Sequence, residues 1–96
     1  MIAPAIRPLV RRAIIDLLAE IGGEHNDHHL ATLLAEVGHR VARRDVAEQL
    51  RWLAEQKLIR IEQIDPFLVA EILPDGEDVA ASRLIVDGIY RHRTGR

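Results

Sequence analysis

The 96-residue chain contains no cysteine. That removes disulfides, thiolate metal sites and thiol nucleophiles together. A secreted domain of this size would ordinarily need such staples, so the composition favours a reducing compartment. Aromatic residues are scarce, with one Trp, one Tyr and one Phe. Any core must therefore be aliphatic, built from Leu, Ile, Val and Ala. No apolar run approaches the ~20 residues that a membrane span needs. Arg7, Arg11 and Arg12 lie near the start, but Asp16 and Glu20 interrupt the apolar stretch behind them, which argues against a signal peptide. Cytoplasm is the expected location. Phosphate loops and nucleophile elbows are missing too. The hydroxyls of Thr32, Ser82 and Thr94 stand in no triad context, so neither catalysis, a cofactor nor a small-molecule substrate is expected.

What is present is 48% apolar and 29% charged residues, a balance suited to one globular domain. Net charge is −2, which by itself disfavours non-specific attraction to DNA. The charge is segmented, however. Residues 39–60 hold Arg40, Arg43, Arg44, Arg51, Lys57 and Arg60 against Asp45, Glu48 and Glu55, a balance of +3. Residues 61–87 hold only Arg83 against seven carboxylates, a balance of −6. Beyond Gly88, Arg91, Arg93 and Arg96 restore +3.

Periodicity sets the elements. Pro8 suits a first helical turn, where a missing N–H costs nothing. Leu9, Val10, Ala13, Ile14, Leu17, Leu18 and Ile21 then recur at helical spacing until Gly22-Gly23. Asn26 or Asp27 can cap a second helix, whose stripe is Leu30, Leu33, Leu34 and Val37 and whose end is Gly38. Val41 is expected to tuck inward. A third helix runs from about Arg43 to Gln56, with Val46, Ala47, Leu50 and Leu53 on one face. Period two takes over from Leu58 to Ile64. Asp65-Pro66 signals a turn, and Phe67 to Leu73 forms a second strand, which together predict a β-hairpin. Pro74-Asp75-Gly76 breaks it. Asp75, Glu77 and Asp78 favour the start of a last helix covering Val79 to about Ile85. The expected class is mostly α with a β-hairpin: a winged helix-turn-helix with a three-helix core, a two-stranded wing and a C-terminal helix. It would occupy residues 1–90 as one domain, with 91–96 as a flexible basic tail.

The segment Arg40-Val41-Ala42-Arg43-Arg44-Asp45-Val46, followed by Leu50-Arg51-Trp52-Leu53-Ala54-Glu55-Gln56-Lys57-Leu58-Ile59, resembles the core of a small winged-helix family of Mu-like phages and prophages. Its members are labelled ArsR-type or helix-turn-helix regulators. Gly76-Glu77-Asp78-Val79-Ala80-Ala81 and the first helix fit the same pattern, so the resemblance spans roughly residues 8–93. It implies a DNA-binding transcriptional regulator. It also shows a departure: Ala42 stands where the family often has Ser, so a helix cap worth about 1 kcal/mol is absent.

In a helix-turn-helix the second helix enters the major groove by its N-terminal end. Arg40, Arg43, Arg44 and Arg51 are therefore the candidate nucleic-acid contacts, arginine being well matched to guanine edges and phosphate. Against this, Arg44, Glu48, Arg51 and Glu55 share one face and are spaced to pair with one another, which would neutralise it. The wing tip, Glu62, Gln63, Asp65 and Pro66, offers no cation. These features support an alternative, a winged-helix module for protein interaction or assembly that leaves DNA alone. Trp52 flanks the core face and reads as a packing residue. Leu84, Ile85, Val86, Ile89 and Tyr90, with Ile2 and Ile6, either cover the domain's own core or form a homodimer seam. His25, His28 and His29 sit with Glu24 and Asp27 in what reads as a surface loop. A closed metal site wants three or four ligands, and His28 and His29 would diverge on a helix, so no metal is expected.

Overall fold

The computed structural model describes residues 2–92 of the chain. Helix α1 (Arg7–Ile21) starts with a proline in its first turn and buries Val10, Ile14, Ile15 and Leu18. Gly22 closes it, its N–H donating to the Leu18 carbonyl at 3.0 Å. Residues 24–26, expected in a loop, instead form a short strand, β1 (Glu24–Asn26). Helix α2 (Asp27–Glu36) follows at once, with the Asn26 side chain accepting from the His29 N–H at 2.7 Å. Helix α3 (Arg43–Glu55) buries Val46, Leu50 and Leu53 and has no side-chain cap at Ala42, as its methyl group requires.

Strands β2 (Ile59–Ile64) and β3 (Phe67–Ile72) form the hairpin about a cis Asp65–Pro66 turn. β1 pairs with the other edge of β3, so the sheet is antiparallel and three-stranded, in the order β1-β3-β2. The two-stranded wing expected from alternation is thus a correction: the backbone of Glu24–Asn26 occupies the edge of β3 that a lone hairpin would leave unpaired. The last helix, α4 (Pro74–Ala80), also differs from expectation. It begins at Pro74, takes Asp75 and Glu77 into its first turn, and is over before the apolar run 84–86.

One device ends three of the four helices. After α2, Gly38 takes a positive φ, and the His39 and Gly38 N–H groups donate to Leu34 and Ala35 at 2.8 and 3.2 Å. After α3, Lys57 has φ 63°, and Leu58 and Lys57 donate to Leu53 and Ala54. After α4, Ser82 has φ 64°, and Arg83 and Ser82 donate to Asp78 and Val79. Each is a Schellman closure, which satisfies carbonyls that a helix end leaves unpaired. Two of the three use a residue other than glycine.

Val10, Ile14, Ile15, Leu18, Leu30, Leu34, Val46, Leu50, Leu53, Leu58, Ile59 and Val79 make one aliphatic core between the helices and the inner face of the sheet. Gly76 of α4 lies against Leu58, the residue before β2, and a β-carbon there would strike the Leu58 carbonyl. Residues 83–92 return along α1. Ile89 is buried, Leu84 and Val86 pack on the core, and the Tyr90 N–H donates to the Pro8 carbonyl at 3.0 Å. Of the residues proposed either to cover the core or to form a seam, Ile2 and Ile89 are buried, whereas Ile6, Ile85 and Tyr90 remain exposed.

Two arginines of α1 point inward. Arg12 donates to the Val79 and Ala80 carbonyls at the end of α4, at 3.1 and 2.9 Å. Arg11 donates to Gln49 at 2.7 Å and to the Gly88 carbonyl at 3.0 Å, and its guanidinium stacks 3.8 Å from the Trp52 ring centre. Burial, and then the positive charge of Arg7, lower the Arg11 pKa from the usual arginine value. Trp52 is half-buried, as its flanking position predicts. No helix among the described residues is long and apolar enough to cross a membrane.

Candidate nucleic-acid interface

The four candidate arginines do not share one fate. Arg43, at the first position of α3, is committed to the fold. Its Nε donates to Asp27 Oδ2 at 3.1 Å, a second nitrogen donates to the Pro66 carbonyl, and the guanidinium lies 4.9 Å from the Phe67 ring centre. Asp27 is buried, and its other oxygen accepts from the His28 and Leu68 backbone N–H groups at 3.1 and 3.2 Å. One carboxylate therefore joins the start of α2, the start of α3 and strand β3, and Arg43 extends that junction to the hairpin turn. Charge patterning gave no hint of this, since Asp27 lies 16 residues away. The available signal was local: Asn26 and Asp27 are both capping residues, α2 needs only one cap, and the second is left for another partner.

Arg40, Arg44 and Arg51 are exposed, and none makes a hydrogen bond or ion pair with the described residues. The pairs expected between Arg44 and Glu48, and between Arg51 and Glu48 or Glu55, are not formed. This is a correction to the self-neutralised helix face. Both charge signs are present on that face, but the guanidiniums are available to a ligand. Arg40 and Arg43 line an open cleft of about 590 Å³ between α2 and α3, together with His28, Thr32 and Glu36. Arg51 lines a second groove of about 330 Å³ with Arg7, Glu48, Trp52 and Glu55. The first turn of α3 adds backbone donors, because intrahelical bonding to Ala42 begins only at the Asp45 and Val46 N–H groups. A helix N-terminus of this kind attracts phosphate oxygens.

The hairpin offers the opposite charge. Glu62, Gln63 and Asp65 are exposed, and the Gln63 side chain donates to Asp65 and to the Phe67 carbonyl. Arg60, the cation at its base, pairs with Glu24 at 2.9 Å and with Glu71, tying the outer face of all three strands together. The hydrogen bonds that Arg60 donates to Glu71 first and to Glu24 second raise its pKa. In the tail, Arg91 is exposed, and His92 meets Asp16 at 2.8 Å. Arg93 and Arg96 of the proposed basic tail lie outside the described residues.

No family model matches the chain, and no solved structure does. The uncharacterized protein gp26 of Escherichia phage Mu is similar to it, with 37% identity over 83 residues, or 86% of this chain and 86% of that protein. The aligned length takes in most of the four helices and the sheet. At that identity and coverage, the chain belongs to the family of the Mu phage protein gp26.

Proposed function

We propose that the protein is a winged helix-turn-helix that binds double-stranded DNA as a regulator in a Mu-like phage or prophage, acting in the host cytoplasm. The observation that carries this reading is the state of the α3 arginines. Arg11, Arg12, Arg43, Arg60 and Arg83 are all held by contacts within the fold, whereas Arg40, Arg44 and Arg51 on the exposed side of α3 and its preceding turn are held by none among the described residues. Ordering an arginine costs side-chain entropy, and a binding surface leaves that cost to be offset by the ligand. Element order agrees with the winged-helix arrangement, with α2 and α3 as the helix-turn-helix and β2–β3 as the wing. The phage relationship supplies the setting. Arg43 acts by holding α3 against the hairpin, not by touching DNA.

The test is a fluorescence-anisotropy titration against mixed operator-length duplexes over a range of salt. Each phosphate contact contributes about 0.9 to the slope of log affinity on log salt. The triple substitution of Arg40, Arg44 and Arg51 by alanine should flatten that slope by roughly 3 for each bound chain. An unchanged slope, or no binding by the parent at low salt, would exclude the reading.

A second reading has one observation in its favour. Leu9, Ala13 and Leu17 of α1 line a mostly apolar groove of about 310 Å³ with Val37 and Tyr90, away from the acidic hairpin tip. A winged-helix module for protein interaction would use such a surface. It predicts a chain that is inert to DNA at any salt concentration.

A further inference from the structure

Strand β1 and the first turn of α2 bring two imidazoles together. His25 Nε2 lies 2.7 Å from the Gly22 carbonyl oxygen. A carbonyl can only accept, so Nε2 carries a proton, which makes Nδ1 the bare nitrogen in the neutral tautomer. That Nδ1 faces Nδ1 of His29 at 3.2 Å, with the ring centres 5.1 Å apart. The two rings come from different elements, His25 from β1 and His29 from the first turn of α2. The backbone fixes both: His25 by pairing with Ala70 in the sheet, His29 by donating its N–H to the Asn26 cap.

We infer that His25 and His29 form an open site for a first-row divalent transition cation such as Ni²⁺ or Zn²⁺. The spacing is the first argument. With metal–nitrogen bonds of about 2.0–2.1 Å, two ligands stand about 3.3 Å apart in tetrahedral geometry and about 2.9 Å apart at a right angle. The observed 3.2 Å lies between the two. The bond to Gly22 is the second. A ligating histidine commonly donates its other ring N–H to a carbonyl, which fixes the tautomer and aims the lone pair. His25 already has that partner. On binding, the proton of His29 moves from Nδ1 to Nε2 through solvent, and the rings turn to bring both lone pairs to one cation. Imidazole nitrogen selects this class of metal over calcium or magnesium, which prefer oxygen.

No group of three or more ligating side chains converges among the described residues. Water, or a ligand carried by another molecule, would fill the remaining positions, so this is an exchangeable site and not a closed structural one. A bound cation would clamp β1 to the first turn of α2 across the Asn26 cap.

The test uses the full chain without a histidine tag. Calorimetric titration with Ni²⁺ is compared for the parent, His25→Gln, His29→Gln and, as a control, His28→Gln, whose side chain lines the α2–α3 cleft instead. One Ni²⁺ should bind per chain. Either site variant should weaken it about tenfold or more, and the control should match the parent. A parent that binds nothing at millimolar Ni²⁺, or a His28→Gln chain as weak as His25→Gln, would overturn the inference. Should a site variant unfold, nuclear magnetic resonance of the parent decides. Paramagnetic broadening must centre on residues 22–30, and broadening centred elsewhere counts against the site.

Discussion

Replacing Arg43 with alanine removes an ion pair with Asp27, a bond to the Pro66 carbonyl and the stacking on Phe67 in one step. The size of the effect follows from what is left behind. The Asp27 side chain is 6% exposed, so its carboxylate cannot turn to water, whereas that of Arg43 is 38% exposed. Breaking a fully buried pair costs about 3–5 kcal/mol. Here one partner is partly solvated, and Asp27 keeps its two backbone donors, which lowers the expectation to about 1–3 kcal/mol. For a domain of this size each kcal/mol moves the melting temperature by roughly 4–8 °C, so a fall of roughly 5–20 °C is expected. Thermal and urea unfolding followed by circular dichroism would measure it. Arg44→Ala and Arg51→Ala serve as references, since exposed substitutions without a partner usually stay within about 0.5 kcal/mol. A double-mutant cycle with Asp27→Asn would separate the pair from the stacking. If Arg43→Ala melts with the parent while Arg44→Ala does not, the division between structural and available arginines is wrong.

Two further substitutions probe the frame. Gly76→Ala drives a β-carbon into the Leu58 carbonyl and to 2.8 Å from Ile72 Cγ1, so a loss of about 1–3 kcal/mol is expected in urea titrations; a neutral result would mean that α4 can shift away from β2 freely. Lys57→Gly should stabilise the chain by about 0.5–1 kcal/mol, because the left-handed cost of about 1–2 kcal/mol exceeds the glycine entropy penalty. Destabilisation there would show that the lysine side chain contributes more than its backbone conformation costs.

Helices α1 to α3 and the hairpin were legible because their apolar residues repeat at 3.6 or 2. Most of the stripes drawn from those periods are buried, but Leu9, Ile21 and Val37 at the ends of α1 and α2 are exposed, and Ile15 joins the core unannounced. β1 was not legible. Glu-His-Asn carries no alternation, and its extended state is set by the free edge of β3, more than forty residues on. The end of α4 escaped for a different reason. Leu84, Ile85 and Val86 read as helical apolar residues, but Ser82 reverses the chain first, and a serine gives no glycine-like signal. The inward arginines escaped because charge patterning assumes that guanidiniums face water. Arg11, Arg12 and Arg43 find partners only in the folded chain. For Arg40, Arg44 and Arg51 the same assumption held.

The inward turn of Arg12 also bears on how the protein is made. Its carbonyl acceptors lie 67 and 68 residues further along, and the Gly88 acceptor of Arg11 lies 77 residues on. At ribosomal speeds of about 5–20 residues per second, α1 waits roughly 3–13 s for those acceptors to be synthesised. During that interval two guanidiniums flank the apolar stripe of a nascent helix. Their charge disfavours premature burial and self-association of that stripe. The contacts that satisfy both guanidiniums thus form only after this late-made segment has appeared, so the packing of α1 cannot be complete before the end of the domain is synthesised.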